Sequence, residues 1–153
     1  MGGASATTAT DGKEGKEGEE GEEPLMRVLL DTHALLWALV SPAKLGKKAR
    51  AVIEDPKNVR VVSAASAWEI ATKYRLGKLR EAEDVVRDYA RHLTTLMAEE
   101  LPLTSQHALT AGLWETAHRD PFDRMLAAQS VVEGIALVTN DIAMREFAIR
   151  TLW

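Results

Sequence analysis

Short, wholly apolar runs recur between longer segments of helical spacing, and this rhythm restricts the chain more than any other feature. Arg27–Leu30 reads as a strand without polar alternation, and Val59–Ser63 and "IALVTND" at 135–141 are of the same kind. Such runs suit strands buried on both faces, as in a parallel sheet. Leu101–Leu103 is a weaker strand candidate, and "IRTLW" at 149–153 closes the series. Helical segments between the runs predict an α/β fold: a Rossmann-like parallel β-sheet flanked by helices on both faces.

The helices carry recognisable ends. "HALLWALV" follows Asp31 or Thr32 as cap and is stopped by Ser41-Pro42. "LGKKARAVIED" sets Leu45, Ala49, Val52 and Ile53 at helical spacing, with Pro56 beyond its end. A helix over Ala65–Leu76 is predicted to end in a left-handed Gly77 and to be largely buried, since Glu69 sits among small and apolar neighbours. Residues 82–100 read as one amphipathic helix, striped by Val85, Tyr89, Leu93, Leu96 and Met97. Thr104–Trp114 follows as a helix. Another is capped by Asp120, opened by Pro121 and closed by Gly134. A last short helix spans Ile142–Phe147.

With 153 residues, 46% apolar and 27% charged, one core is expected. Cysteine is absent, which excludes disulfides, thiolate metal sites and a cysteine nucleophile. No apolar run approaches the roughly 20 residues of a membrane span, and no basic-then-apolar signal opens the chain. A soluble, cytoplasmic protein is the expectation. The net charge of −4 is unevenly spread: residues 1–24 hold seven acids against Lys13 and Lys16, leaving 17 basic against 16 acidic residues in the remainder. Residues 1–25 are therefore expected to be a disordered acidic Gly/Glu/Lys-rich tail, and 26–153 the folded domain. Met26 is an alternative start.

In doubly wound sheets, sites form at the carboxyl ends of strands. Asp31 follows the first strand, Asp141 follows "ALVTN", Glu69 lies six residues past Ser63, and Asp120 and Asp123 open the helix that feeds the fourth strand. Singly, Asp31 and Asp120 read as caps and Asp141 as a turn residue. Glu69, on a helix predicted to be buried, needs a partner or a metal. Gathered carboxylates repel one another, and a divalent cation reverses that repulsion. Hard oxygen donors suit Mg²⁺ or Mn²⁺ and phosphodiester hydrolysis.

"LLDTHALLW", "SAASAWEIATKYRLGKL", "HRDPFDRMLAAQS" and "LVTNDIAM", in this order, resemble the PIN-domain nucleases, in particular the VapC-like toxins of toxin–antitoxin systems. The resemblance runs from about Met26 to the end of the chain. It implies a Mg²⁺- or Mn²⁺-dependent ribonuclease, an RNA substrate, a small antitoxin partner and a homodimer. It carries catalytic and metal-binding roles to Asp31, Glu69, Asp123 and Asp141, with Thr139 and Asn140 supporting the last. Asp120 is left as an additional ligand or a cap, with the cap favoured. Lys73, Arg119 and Arg124, beside the acids in sequence, are the candidates for RNA phosphate contacts. His33 and His118 lack the helical partner that a zinc pair needs, and His118 is expected to orient a loop or a carboxylate.

Other acid-bearing folds fit less well. A phosphatase of the haloacid-dehalogenase type wants a second Asp where His33 stands, and a receiver wants a late-strand Lys that "LVTND" lacks. Glycine-rich nucleotide loops are absent. A non-catalytic PIN-like scaffold binding RNA or a partner is the rival from another class; mutually repelling acids argue against it.

Overall fold

The computed structural model describes residues 1–4 and 26–153. The tail expected at 1–25 therefore lies, beyond its first four residues, outside the described part. Five strands form one sheet: β1 (Arg27–Leu30), β2 (Val59–Ser63), β3 (Ala98–Leu101), β4 (Ala136–Val138) and β5 (Thr151–Leu152). Their spatial order is β3-β2-β1-β4-β5, and every pairing is parallel. Chain order reverses beside β1, so the crevice between the carboxyl ends of β1 and β4 is the switch point. There the Asp31 amide donates to the Val138 carbonyl at 3.0 Å, joining the two strand ends.

Successive side chains of β1 serve opposite faces, as strand geometry requires. Val28 and Leu30 pack with Val62, Val138 and Leu152 in one core, together with apolar residues of α1 (Thr32–Val40), α2 (Lys47–Glu54) and α3 (Ala64–Arg75). Leu29 packs with Val61, Leu137, Met144 and Phe147 in the other, closed by Leu126 and Ala127 of α7 (Pro121–Glu133). α6 (Ser105–Leu113) lies on α7. Two-sided burial of β1 explains its unbroken apolar run.

Most helix ends fall where the sequence placed them. Asp31 caps α1, Thr104 caps α6, and Asp120 caps α7 by accepting from the Phe122 and Asp123 amides. Gly134 ends α7 at φ 66°, and Gly77 follows α3 at φ 74°. Both are left-handed positions that a Cβ disfavours. Ile142–Phe147 is a short 3₁₀ helix.

The segment 82–100 departs from expectation. It forms two helices, α4 (Glu83–Arg87) and α5 (Tyr89–Thr95), broken at Asp88 (φ −142°, ψ 59°), and then strand β3. The break re-aims the chain so that Val85 and Leu93 both reach the core. Met97, at φ 52°, turns into β3 and is exposed rather than on the buried stripe. Glu99 and Glu100 are good helix formers, yet pairing with β2 overrides that preference. Their charges suit an edge strand. The strand expected at 101–103 thus lies at 98–101. α3 is also less enclosed than predicted: Ala65, Ser66, Glu69 and Ile70 are buried, but Trp68 is 60% exposed. No helix among the described residues is long and apolar enough to cross a membrane.

Leu29→Ala removes a fully buried side chain from the central strand. It should lower unfolding stability by about 3 kcal/mol, read from the urea midpoint at unchanged m-value.

Candidate active site

At the end of β1 the chain turns into α1 through Asp31, which is 9% exposed. Its Oδ1 accepts the Ala34 amide at 2.6 Å. The cap and the candidate catalytic acid are therefore one residue. α3 starts directly from β2, capped by Ser63, and carries Glu69 on its second turn, facing α1. Glu69 is only 4% exposed. Oε1 accepts from the Thr32 hydroxyl at 2.6 Å, and Oε2 takes the Lys73 ammonium one helical turn on. A donor on each oxygen meets the requirement that a buried carboxylate be partnered.

The third acid comes from α7. Asp123 Oδ2 meets His118 Nε2 at 2.9 Å, while the His118 ring stands edge-on to Phe147. His118 thus orients a carboxylate, as the sequence suggested. Arg124, the next residue, fixes the loop that carries His118. Its guanidinium donates to the carbonyls of Ala111 at 2.9 Å, Trp114 at 2.6 Å and His118 at 2.8 Å. Those bonds commit Arg124 to the loop, so the phosphate contact expected of it does not match its position. Arg119 is exposed on the same loop.

Electrostatics tie three acids together. Burial pushes the Asp31 carboxyl above its ordinary value and Glu69 adds to the rise, against the Thr139 hydroxyl, the Ala34 amide and His33. Burial likewise raises Asp123, with Asp120 and Glu69 adding to it and His118 opposing. Glu69 is the acid that both of the others feel. Asp141 stands apart. It is exposed, its Oδ1 accepts the Ala143 amide at 2.9 Å, and its own amide donates to Thr139 Oγ1 at 3.1 Å. Asp120 is occupied as the cap of α7. Thr139 is the wall shared by Asp31 and Asp141; Asn140 is exposed beside it.

Among the described residues, no three acidic or histidine side chains converge into a ready cation cage. Each of the four acids gives at least one oxygen to a protein donor. The donor set nevertheless fits a hard divalent ion: it is all carboxylate and hydroxyl, and its negative charge is compensated nearby by Lys73. Thr32 and Ser66 were not foreseen in this network, where Thr32 Oγ1 and Ser66 Oγ lie 3.1 Å apart. The available signal was the buried Glu69, which calls for a donor from the facing helix.

A five-stranded parallel sheet with acids at its switch point defines a class, and the chain belongs to it: the PIN-domain family model matches residues 28–150. Ribonuclease VapC22 of Mycobacterium tuberculosis is 30% identical over 122 residues, 77% of this chain and 89% of that protein. Ribonuclease VapC16 of the same organism is 46% identical over 65 residues; that match spans 40% of this chain and 43% of the relative. The fold is also that of the Rickettsia felis VapBC2 structure bound to a promoter DNA fragment, at TM-score 0.61 and 17% identity, over 84% of this chain and 99% of that one.

A raised carboxyl favours the folded state while protonated. That stability is complete below the ordinary value of 3.8 and is lost as pH rises through the raised folded value. In EDTA at pH 7, Asp31→Asn, which keeps the acceptor for Ala34, should therefore melt a few degrees above the parent. Asp123→Asn should shift the same way. Melting curves taken down to pH 4 should show the margin closing; a lower midpoint at pH 7 would contradict the electrostatic assignment.

Proposed function

We propose that the chain is a metal-dependent endoribonuclease and the toxin of a toxin–antitoxin pair. The observation that carries this reading is the PIN-domain match over residues 28–150, with Asp31 at the carboxyl end of β1, Glu69 on α3 bonded to Thr32 of α1, and Asp123 in the first turn of α7. The names of the two ribonuclease relatives support RNA as substrate, and the VapBC neighbour supports a small protein antitoxin. In this reading the substrate is a cytoplasmic RNA and the working unit a homodimer. Exposed Leu109 and Leu113 on α6 and Trp68 on α3 support an apolar contact of that sort.

Asp31, Glu69 and Asp123 would hold one or two Mg²⁺ or Mn²⁺ ions, with Asp141 as the fourth acid. Asp120 keeps its place as a cap. The chemistry such an ion supplies is Lewis-acid activation of water and neutralisation of phosphate charge. The protein's own groups do the positioning. Thr32 and Lys73 hold the two oxygens of Glu69 apart and fixed. His118 sets the plane of the Asp123 carboxylate from the loop that Arg124 ties down. The exposed Arg119 is the cation offered to a phosphate, while Lys73 stays paired with Glu69 at the edge of the acids.

Purified protein with a labelled total-RNA pool is the direct test. Cleavage should require Mn²⁺, stop in EDTA, and fall at least about 100-fold in Asp31→Asn. His118→Leu should cost about 10-fold in activity or metal affinity, the usual scale for a group that orients a ligand. No cleavage from a folded, Mn²⁺-loaded sample would move the reading to a binding scaffold.

A further inference from the structure

Beside Thr139, the ends of β4 and β5 border a cavity of about 410 Å³. Lys48, Asn140, Asp141, Arg145 and Trp153 line it, and Thr139 is the wall it shares with the acids. The size suits a nucleotide, for which sites of about 300 Å³ and above are usual. Lys48 and Arg145 make no ion pair among the described residues. Their ammonium and guanidinium outnumber Asp141, the one acidic side chain in the lining. Gly46 begins α2 beside them with no side-chain cap, and the first turn of that helix holds no acid.

Trp153 is seated rather than loose. Its indole meets Trp37 edge-on at 5.6 Å between ring centroids. It also presses on the backbone at Gly46, where a Cβ would fall 2.5 Å from the indole Cδ1. A cation pair, a fixed aromatic surface and an exposed amide, Asn140, form the set that recognises a nucleotide of a single strand: phosphate, base face and base edge. An acidic peptide would use the cations but has no need of the indole or the amide.

We propose that this cavity is a nucleotide subsite, holding the residue of single-stranded RNA next to the scissile phosphate. Lys48 and Arg145 take its phosphate, Trp153 its base face and Asn140 its base edge. The assignment rests on the ribonuclease reading for its place beside the reaction, but not for its binding chemistry.

The test is fluorescence anisotropy of a labelled mixed-sequence hexaribonucleotide, in EDTA so that nothing is cut, over a salt series. The Lys48→Gln/Arg145→Gln double variant should bind about 10-fold more weakly at low salt and lower the log–log salt slope by roughly 1. Trp153→Leu should weaken binding about 10-fold with the slope unchanged, and Trp153→Phe should restore most of the loss. Mn²⁺ affinity, followed by electron paramagnetic resonance, should not fall in the double variant. Equal affinity and slope in that variant would overturn the subsite, as would a glutamate peptide of equal net charge competing as well as the RNA. A chain that binds the probe through these residues but cuts no RNA with Mn²⁺ removes the ribonuclease reading alone. One that cuts RNA with kcat/KM untouched in the double variant removes the subsite alone.

Discussion

Glu69 places a carboxylate inside the protein, 4% exposed, with Thr32 on one oxygen and Lys73 on the other. Those two bonds settle more than the state of one side chain. Thr32 is the first residue of α1, so its bond ties α1 to α3 at the point where β1 and β2 deliver them, while the Lys73 pair lies within α3. Truncating Thr32 would leave one oxygen of a buried carboxylate short of its donor. Burial is the main cause that raises Asp31 and Asp123, and the Glu69 charge adds a smaller rise to both.

The surroundings of the acids are arranged to tolerate that repulsion. Each carboxylate gives one oxygen to a local donor: an amide for Asp31 and Asp141, an imidazole for Asp123. The switch point brings the strand ends close enough for the Asp31 amide to reach the Val138 carbonyl. Arg124 anchors the loop between α6 and α7 through three carbonyls, which places His118 without using any side chain of the sheet. Stability and site geometry oppose one another here. The raised carboxyls of Asp31 and Asp123 cost the metal-free fold stability at neutral pH, and a divalent ion would relieve it.

Much of the fold was legible in the chain because its signals are local. The apolar runs of β1, β2 and β4, the Asp120-Pro121 opening of α7 and the left-handed glycines after α3 and α7 act through neighbouring residues alone. The 82–100 segment failed for the opposite reason. Its stripe of Val85, Tyr89 and Leu93 suits one long helix, but reaching the core from the protein's curved surface requires the bend at Asp88, and β2 recruits Ala98–Leu101 as an edge strand. Within the site, Asp31, Glu69 and Asp123 were readable as acids at one sheet edge. The setting apart of Asp141 and the commitment of Arg124 were not, because both follow from hydrogen bonds closed only by the folded loops.

Periodicity and caps are properties of short segments, so the chain alone called for a parallel sheet with Asp31 and Asp141 following its strands. Which acids come near one another, which cations stay unpaired among the described residues and where a cavity opens were fixed on folding. Those outcomes depend on distances between residues dozens apart in the chain, as between Thr32 and Glu69 or Gly46 and Trp153, and spacing along the chain carries no measure of them.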